Sequence, residues 1–328
     1  MSIFPSSVII FIISKVSALT PETIYESKLF MKEEPAIKNN IYHLYSLPVQ
    51  LVEATIQAAE DKVKMSLRRQ ILLGICSGMF IACGAAASSV AVHNIANVGI
   101  ARLVAGVIFP IGMMMIIFIG GELFTGNCLM IMGRLHKKIS SRDMAKVLFI
   151  VYFSNMLGTI LIALLVNWSG QFNYTGGLLG AYAIKVAMGK VSLSFGEAFT
   201  SGILCNVLVC GAVLMSSAAR DIAGKVWAIF FPIMVFIVSG YEHVVANMYY
   251  IPAAIIAKGN ETYAQLAMSE YGYTAAQLDS LNWGSFITKN LIPVTLGNMV
   301  GGIVLVGVIL YYIHEKNIKA DEQARGLR

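Results

Sequence analysis

Two short stretches, GGELFTGN at 120–127 and SGYEHVVAN at 239–247, interrupt the two longest apolar segments of this chain. Each contains a glycine, then a glutamate, then an asparagine five residues after the glutamate. The paired residues are Glu122 with Asn127 and Glu242 with Asn247. Glycine and charge in the middle of an apolar run predict a broken helix. Broken backbone at membrane depth must line a cavity or be buried against protein, because lipid cannot satisfy its hydrogen bonds.

The surrounding composition is that of a membrane protein. The chain is 57% hydrophobic and 13% charged, with a mean hydropathy of +0.72, whereas a soluble domain carries roughly 25% charged residues. The apolar segments run over about 70–92, 98–134, 145–168, 195–218, 224–256 and 287–313. At roughly 20 residues per crossing, they predict six transmembrane helices, of which the second and fifth are broken. We therefore predict an all-α integral membrane fold.

The two halves of the chain echo each other. The third segment contains SNMLG from Ser154, and the sixth contains GNMVG from Gly297. Three spans per half give the halves opposite topology, so we predict an inverted repeat over about 67–170 and 193–315. Inverted repeats with breaks at matching positions indicate a transport site near the bilayer midplane.

The remaining parts of the chain flank this repeat. We predict an N-terminal tail over 1–45, an amphipathic helix over 46–66, a six-span domain over 67–315 and a C-terminal tail over 316–328. The first 30 residues read either as a start assigned too early or as a disordered tail. The apolar stripe of the amphipathic helix includes Val52, Ile56 and Ala59. Such a stripe predicts a helix at the membrane surface or against a neighbouring subunit.

Loop charges predict the orientation. Basic residues concentrate at 62–69, 134–146, 220–225 and 316–328, and the opposite loops contain few. Those few are Arg102, Lys185, Lys190, Lys258 and Lys289. By the positive-inside rule, both termini are cytoplasmic.

The breaks also hold the candidate functional groups. A half-helix that begins at a break points its positive dipole end into the gap, which favours anions. His243 is the one histidine inside an apolar segment, and imidazole titrates near neutral pH. Thr125 offers a hydroxyl in the matching break. We interpret Glu122 and Glu242 as supports for the loops, with direct work in the pore as the alternative.

Other classes of protein fit less well. The five cysteines lie in apolar segments without metal-ligand spacing, so we expect neither a metal nor a cofactor. Basic patches interleaved with aromatics, typical of nucleic-acid binding, are not evident. An enzyme would need a nucleophile pair or a ligand cluster such as His-Glu-x-x-His. An aquaglyceroporin-type channel for neutral solutes would carry paired Asn-Pro-Ala loops and a selectivity arginine, and the two breaks carry Glu-x4-Asn and a histidine instead.

At these motifs the chain resembles the formate/nitrite transporter family, which includes formate, nitrite and hydrosulfide channels. The resemblance covers about 46–315. The matching motifs are GELFTGN at 121–127, SGYEHVVANM at 239–248, SGILCNVLVCGAV at 201–213 and NLIPVTLGNMVGG at 290–302. The resemblance implies an aquaporin-like six-span fold in the inner or plasma membrane, assembled as a homopentamer with one pore per subunit.

The resemblance also implies roles for individual residues. The family's central pore histidine falls on His243 and its threonine partner on Thr125. Lys190 matches a basic residue that draws anions to the outer vestibule, and Asn206 matches a polar pore-side position. The implied cytoplasmic constriction consists of Phe109, Met113 and Leu123, and the implied outer constriction of Phe124, Val209 and Phe236. The implied polar network that supports the loops consists of Glu122, Asn127, Glu242 and Asn247.

The predicted substrate is a small monovalent weak-acid anion. Formate leads on family prevalence, nitrite and hydrosulfide stay open, and acetate or lactate belong to the same chemical class. An anion that takes a proton at His243 could cross as a neutral acid, or the imidazole could stabilise it as it passes. Protons and the lipid bilayer are the other predicted partners.

Overall fold

The computed structural model describes residues 45–324. The predicted tail over 1–45 lies outside the described residues except for Tyr45, as do the last four residues of the C-terminal tail. Within 45–324, six helices are long and apolar enough to cross a membrane. The chain is therefore a multi-pass, all-α membrane protein, as its composition predicts.

The helices follow the predicted order, with extra elements between the two halves and before the last span. In chain order they are α1 (Pro48–Lys64), α2 (Leu67–Val92), α3 (Val98–Ile119), α4 (Phe124–Asn127, with its continuation to Leu135), α5 (Ser141–Trp168), α6 (Leu178–Val191), α7 (Phe195–Ala218), α8 (Ile222–Ser239), α9 (Val244–Lys258), α10 (Glu261–Tyr271), α11 (Ala275–Asp279) and α12 (Trp283–Ala320). Sequence reading did not predict α6, α10 or α11, because they are short and lie in loops between apolar segments.

The two halves pack in the same way and interlock. In the first half α5 lies along α2, and in the second α12 lies along α7. The second piece of each interrupted segment crosses to the other half: α9 packs against α5, and α4 packs against α12. Each half thus completes the core of the other, which places the two interruptions side by side.

Glycines allow the close packing of α2 on α5. A Cβ atom on Gly78 would lie 2.1 Å from the carbonyl oxygen of Asn155, and one on Gly158 would lie 2.1 Å from that of Ile75. The second half repeats this contact, since a Cβ on Gly301 would lie 2.3 Å from the carbonyl oxygen of Ile203. Small residues let helix backbones approach within a membrane, where there is no hydrophobic force between helices.

The amphipathic helix α1 packs its apolar stripe on its own chain; its predicted position at the membrane surface or on a neighbouring subunit stays a prediction. Val52 and Ile56 are buried in one cluster with Cys128, Leu129 and Met132, which lie just after the first interruption. The apolar stripe is thus used within the subunit. This contact sets α1 close to the first interruption.

Replacing Gly78 by alanine is expected to destabilise the protein by about 1–3 kcal/mol, because α2 and α5 must move apart to admit the methyl group. Gly211→Ala is the matched control, since a Cβ on Gly211 meets no atom within 4 Å. Thermal unfolding in detergent would measure both. Equal melting temperatures for the two variants would contradict the close approach of α2 to α5.

Candidate functional site

The first interruption separates α3 from α4. Gly120 ends α3 with φ +93°, a left-handed conformation that suits glycine and terminates helices. Extended backbone follows to Leu123, the residue that precedes α4. The second interruption has the same form, with Gly240 at φ +73° after α8 and His243 preceding α9. Leu123 and His243 therefore occupy matching positions.

One asparagine holds the backbone of each interruption. The Asn155 amide nitrogen donates to the carbonyl oxygens of Glu122 (2.9 Å) and Gly74 (2.8 Å), and its oxygen accepts from the N–H of Phe124 (2.9 Å). Asn298 repeats all three contacts in the second half. It donates to the carbonyl oxygens of Glu242 (3.0 Å) and Gly202 (2.7 Å) and accepts from the N–H of Val244 (2.9 Å).

Each interruption also contains a buried carboxylate with two cross-links. Glu122 accepts from Lys62 on one oxygen and from the Asn127 amide on the other, at 2.7 Å. Glu242 accepts in the same way from Lys190 (2.8 Å) and from Asn247 (2.6 Å). In both cases a lysine balances the charge that the glutamate buries. A buried charge is tolerated when it is paired and hydrogen-bonded in this way.

The second network has one additional member, Asn290 on α12. Its amide nitrogen donates to Glu242 (3.1 Å) and to the backbone oxygen of Lys190 (3.2 Å), and its oxygen accepts from Asn247 (2.8 Å). Asn290 lies in a wider, π-helical turn of α12. Such turns occur frequently at functional sites.

His243 and Thr125 join the two interruptions. The imidazole Nδ1 accepts from the backbone N–H of Ala246 at 3.1 Å. That bond leaves the proton of a neutral ring on Nε2, which then donates to Thr125 Oγ1 at 2.9 Å. His243 and Thr125 are both fully or almost fully buried. The hydroxyl hydrogen of Thr125 is therefore available to a further acceptor at this junction.

Apolar side chains surround the junction. The rings of Phe109 and Phe236 lie edge to face with centroids 5.6 Å apart, and the ring of Phe236 lies 5.8 Å from that of His243. The sequence analysis assigned Phe109 and Phe236 to different constrictions, and in the structure their rings are in direct contact. Their positions follow from α3 packing against α8, a contact between the two halves that sequence could not show.

The other predicted constriction residues are buried near the first interruption. Phe124 packs edge to face on Tyr152, with centroids 4.9 Å apart. Met113, Leu123 and Val209 are at most 4% exposed. The assignment of Leu123 and Phe124 to the cytoplasmic and outer constrictions stays a prediction.

Asn206 and Lys190 have partners that the sequence analysis did not predict. Asn206 is fully buried, and its amide donates to the backbone oxygens of Asn298 (2.6 Å) and Thr125 (3.3 Å). It therefore positions the first interruption. Lys190 lines a cavity of about 800 Å³ that reaches His243 from one side, and its ammonium group is paired with Glu242.

Sequence reasoning missed Lys62, Asn155, Asn290 and Asn298 as site residues. Lys62 was counted only among the flanking charges that set the orientation. Asn155 and Asn298 were visible, because they are the shared asparagine of the SNMLG and GNMVG echoes. An asparagine that recurs in both halves of an inverted repeat is the signal that could have identified them.

Six spans, two interruptions fastened by matching polar networks and a buried His–Thr pair where they meet define a membrane channel or transporter. The family model "Formate/nitrite transporter" matches residues 49–312. The chain belongs to this family, whose members are channels and transporters rather than enzymes.

Curated relatives agree with this assignment. The chain is 38% identical over 218 residues to the formate channel FocA of Haemophilus influenzae, covering 66% of this chain and 75% of the relative. It is 32% identical to FocA of Escherichia coli, covering 82% and 94%. It is also 34% identical to the uncharacterized transporter YrhG of Bacillus subtilis, covering 85% and 97%.

Solved structures agree as well. A pentameric formate channel with formate bound matches with a TM-score of 0.67 and 34% identity, covering 76% of this chain and 97% of that chain. An FNT family ion channel matches with a TM-score of 0.67 and 26% identity, covering 80% and 98%.

Replacing Asn298 by alanine is expected to cost about 1–3 kcal/mol or more, because two carbonyl oxygens and one N–H of the second interruption lose their buried partner. Asn155→Ala should cost a similar amount, since the contacts of the two asparagines match. Asn317→Ala, at an exposed position, should stay within about 0.5 kcal/mol of the wild type. Thermal unfolding would measure all three, and an unchanged Asn298 variant would contradict the bracing role.

Proposed function

We propose that this protein is a transmembrane channel for small monovalent weak-acid anions, with formate as its substrate, and that passage depends on pH through His243. The observation that carries the proposal is the Thr125–His243 hydrogen bond at the junction of the two interruptions. Formate is favoured because several relatives are named formate channels and one similar structure holds formate. Nitrite, which the family description names, and hydrosulfide are the competing substrates.

The lysine–glutamate pairs support an anion pathway. Unpaired, the carboxylates of Glu122 and Glu242 would repel an anion close to the junction. Lys62 and Lys190 neutralise these charges, so the two carboxylates can hold the loops by hydrogen bonds without repelling an anionic substrate. We therefore assign Lys190 a second role besides the anion attraction predicted from sequence.

The apolar contact between Phe109 and Phe236 explains why a proton matters. A bare ion that passes such a barrier loses its hydration, which is costly. A proton supplied from the vestibule adds to the formate ion at the His243–Thr125 pair, and the ion crosses as neutral formic acid. Imidazole suits this step, because the neutral ring donates from one nitrogen while it accepts on the other. Hydrogen bonds from the pair to the passing anion are the second route to the same pH dependence.

Assembly and placement complete the proposal. We propose a homopentamer with one pore per subunit, as in the pentameric channel that the chain resembles. We place it in the inner or plasma membrane. The basic loops follow the positive-inside rule, so both termini and α1 would face the cytoplasm. The 800 Å³ cavity that contains Lys190 then forms the outer vestibule.

Replacing His243 by phenylalanine is expected to reduce acid-stimulated formate uptake into liposomes by roughly tenfold or more, because the imidazole at which the formate ion gains its proton is lost. His314→Gln is the matched control, a histidine outside the junction. Uptake of formate, nitrite and hydrosulfide would be measured with an inward proton gradient. Undiminished acid-stimulated uptake in His243→Phe would refute the proposed role, and a preference for nitrite or hydrosulfide in the wild type would refute formate.

Replacing Lys190 by methionine is expected to slow formate uptake by roughly tenfold, because it leaves the Glu242 charge unpaired beside the path of the anion. Adding Glu242→Gln should restore much of the rate, since that variant removes the repelling charge while it keeps the side-chain shape. Initial rates would be measured over a range of formate concentrations. A double variant no faster than Lys190→Met would contradict the neutralising role.

A further inference from the structure

A second, basic pocket lies at the other end of the bundle from the vestibule. It has a volume of about 450 Å³ and is formed between α1 and the turn that joins α4 to α5. Glu60 and Lys64 line it from α1, Arg134 lines it from the last turn of α4, and Lys137 and Lys138 line it from the turn that follows. None of these residues takes part in the networks of the two interruptions, so the pocket is distinct from the candidate pore.

The acidic groups at this pocket are already engaged. Glu60 pairs with Lys64 at 2.6 Å. Asp143, also in the lining, accepts from both the backbone N–H and the hydroxyl of Ser140 and caps α5.

Three cations remain. Among the side chains that the structure describes, no carboxylate oxygen lies within 4 Å of the charged nitrogens of Arg134, Lys137 or Lys138. Arg134 uses its Nε–H to donate to Ser141 Oγ at 2.6 Å, and its other N–H groups are not needed for that bond. The lining contains four basic and two acidic side chains, so the pocket keeps a net positive charge even with Asp143 ionised.

The backbone of Lys137 closes the end of α4. Lys137 has φ +63°, the left-handed conformation in which glycine is preferred. Its N–H donates to the Arg134 carbonyl (3.1 Å), and the Lys138 N–H donates to the Gly133 carbonyl (2.9 Å), which is the pattern of a helix that ends on glycine. Lys137 therefore lines the pocket from a position at which helices usually end on glycine.

The position of the pocket suggests the ligand. Ser141 begins α5, one of the six apolar spans, so the preceding turn lies where lipid headgroups meet the membrane surface. Basic pockets at this level bind anionic headgroups. The chemistry recognised is a phosphate anion, which a lipid headgroup or a free phosphate compound could supply, and the location favours the lipid.

We infer that this pocket binds the phosphate of an anionic phospholipid headgroup through Arg134, Lys137 and Lys138. The bound headgroup would lie beside α1, which lines the other side of the pocket through Glu60 and Lys64. The binding itself does not depend on the proposed transport of formate.

The test measures lipid binding to the purified full-length protein in detergent by native mass spectrometry, with short-chain phosphatidylglycerol and phosphatidylcholine as probes. The wild type is expected to prefer phosphatidylglycerol. Lys137→Gly and Lys138→Gln should each weaken that binding about fivefold, the effect of one basic residue near an anionic headgroup. Lys137→Gly relieves the left-handed strain, so its melting temperature in detergent without added lipid should not fall.

The control is Lys146→Gln, an exposed lysine on α5 outside the pocket, which should bind as the wild type does. Equal losses in Lys137→Gly and Lys146→Gln would overturn the pocket in favour of general surface charge. Inorganic phosphate and glycerol phosphate form the second arm. Their failure to compete at millimolar concentration supports the lipid, and full displacement of the lipid by either would overturn the headgroup assignment.

Discussion

The structure depends on one constraint, which is that backbone interrupted at membrane depth must find its hydrogen bonds inside the protein. Asn155 and Asn298 meet this constraint. Each donates to a backbone carbonyl of its interruption and to a backbone carbonyl of the neighbouring span. Without these two side chains, backbone groups of both interruptions would lose their buried hydrogen-bond partners. The close glycine contacts between spans are part of the same arrangement, because they bring each asparagine within reach.

The contacts that support the two interruptions match, but the residues that precede α4 and α9 differ in their chemistry. The two interruptions share their glycine, glutamate, asparagine and lysine contacts, yet the residue that precedes α4 is Leu123 and the residue that precedes α9 is His243. A single titratable ring thus faces the junction, with Thr125 from the opposite half as its partner. The duplicated parts hold the interruptions in place, and the replacement of Leu123 by His243 at the matching position supplies the imidazole.

Elements outside the six spans complete the site. Lys62 lies on α1 and Lys190 lies on α6. In each half of the repeat, a helix outside the six spans therefore supplies the lysine that neutralises the buried glutamate. The charge balance of the interruptions therefore depends on helices outside the six spans. Helix α1 contacts both the first interruption, through Lys62, and the basic pocket around Lys137.

By itself the sequence determined the six spans, the positions of the two interruptions and the pairing of each glutamate with an asparagine, because hydropathy, glycine and short-range spacing encode these features locally. The His243–Thr125 pair was predicted from the same breaks and from the family resemblance. Only the tertiary structure decided which lysine neutralises which glutamate, that Asn206 braces backbone, and that Phe109 meets Phe236. Those contacts join residues that are distant in the chain. They depend on how the two halves interlock, which no local pattern records.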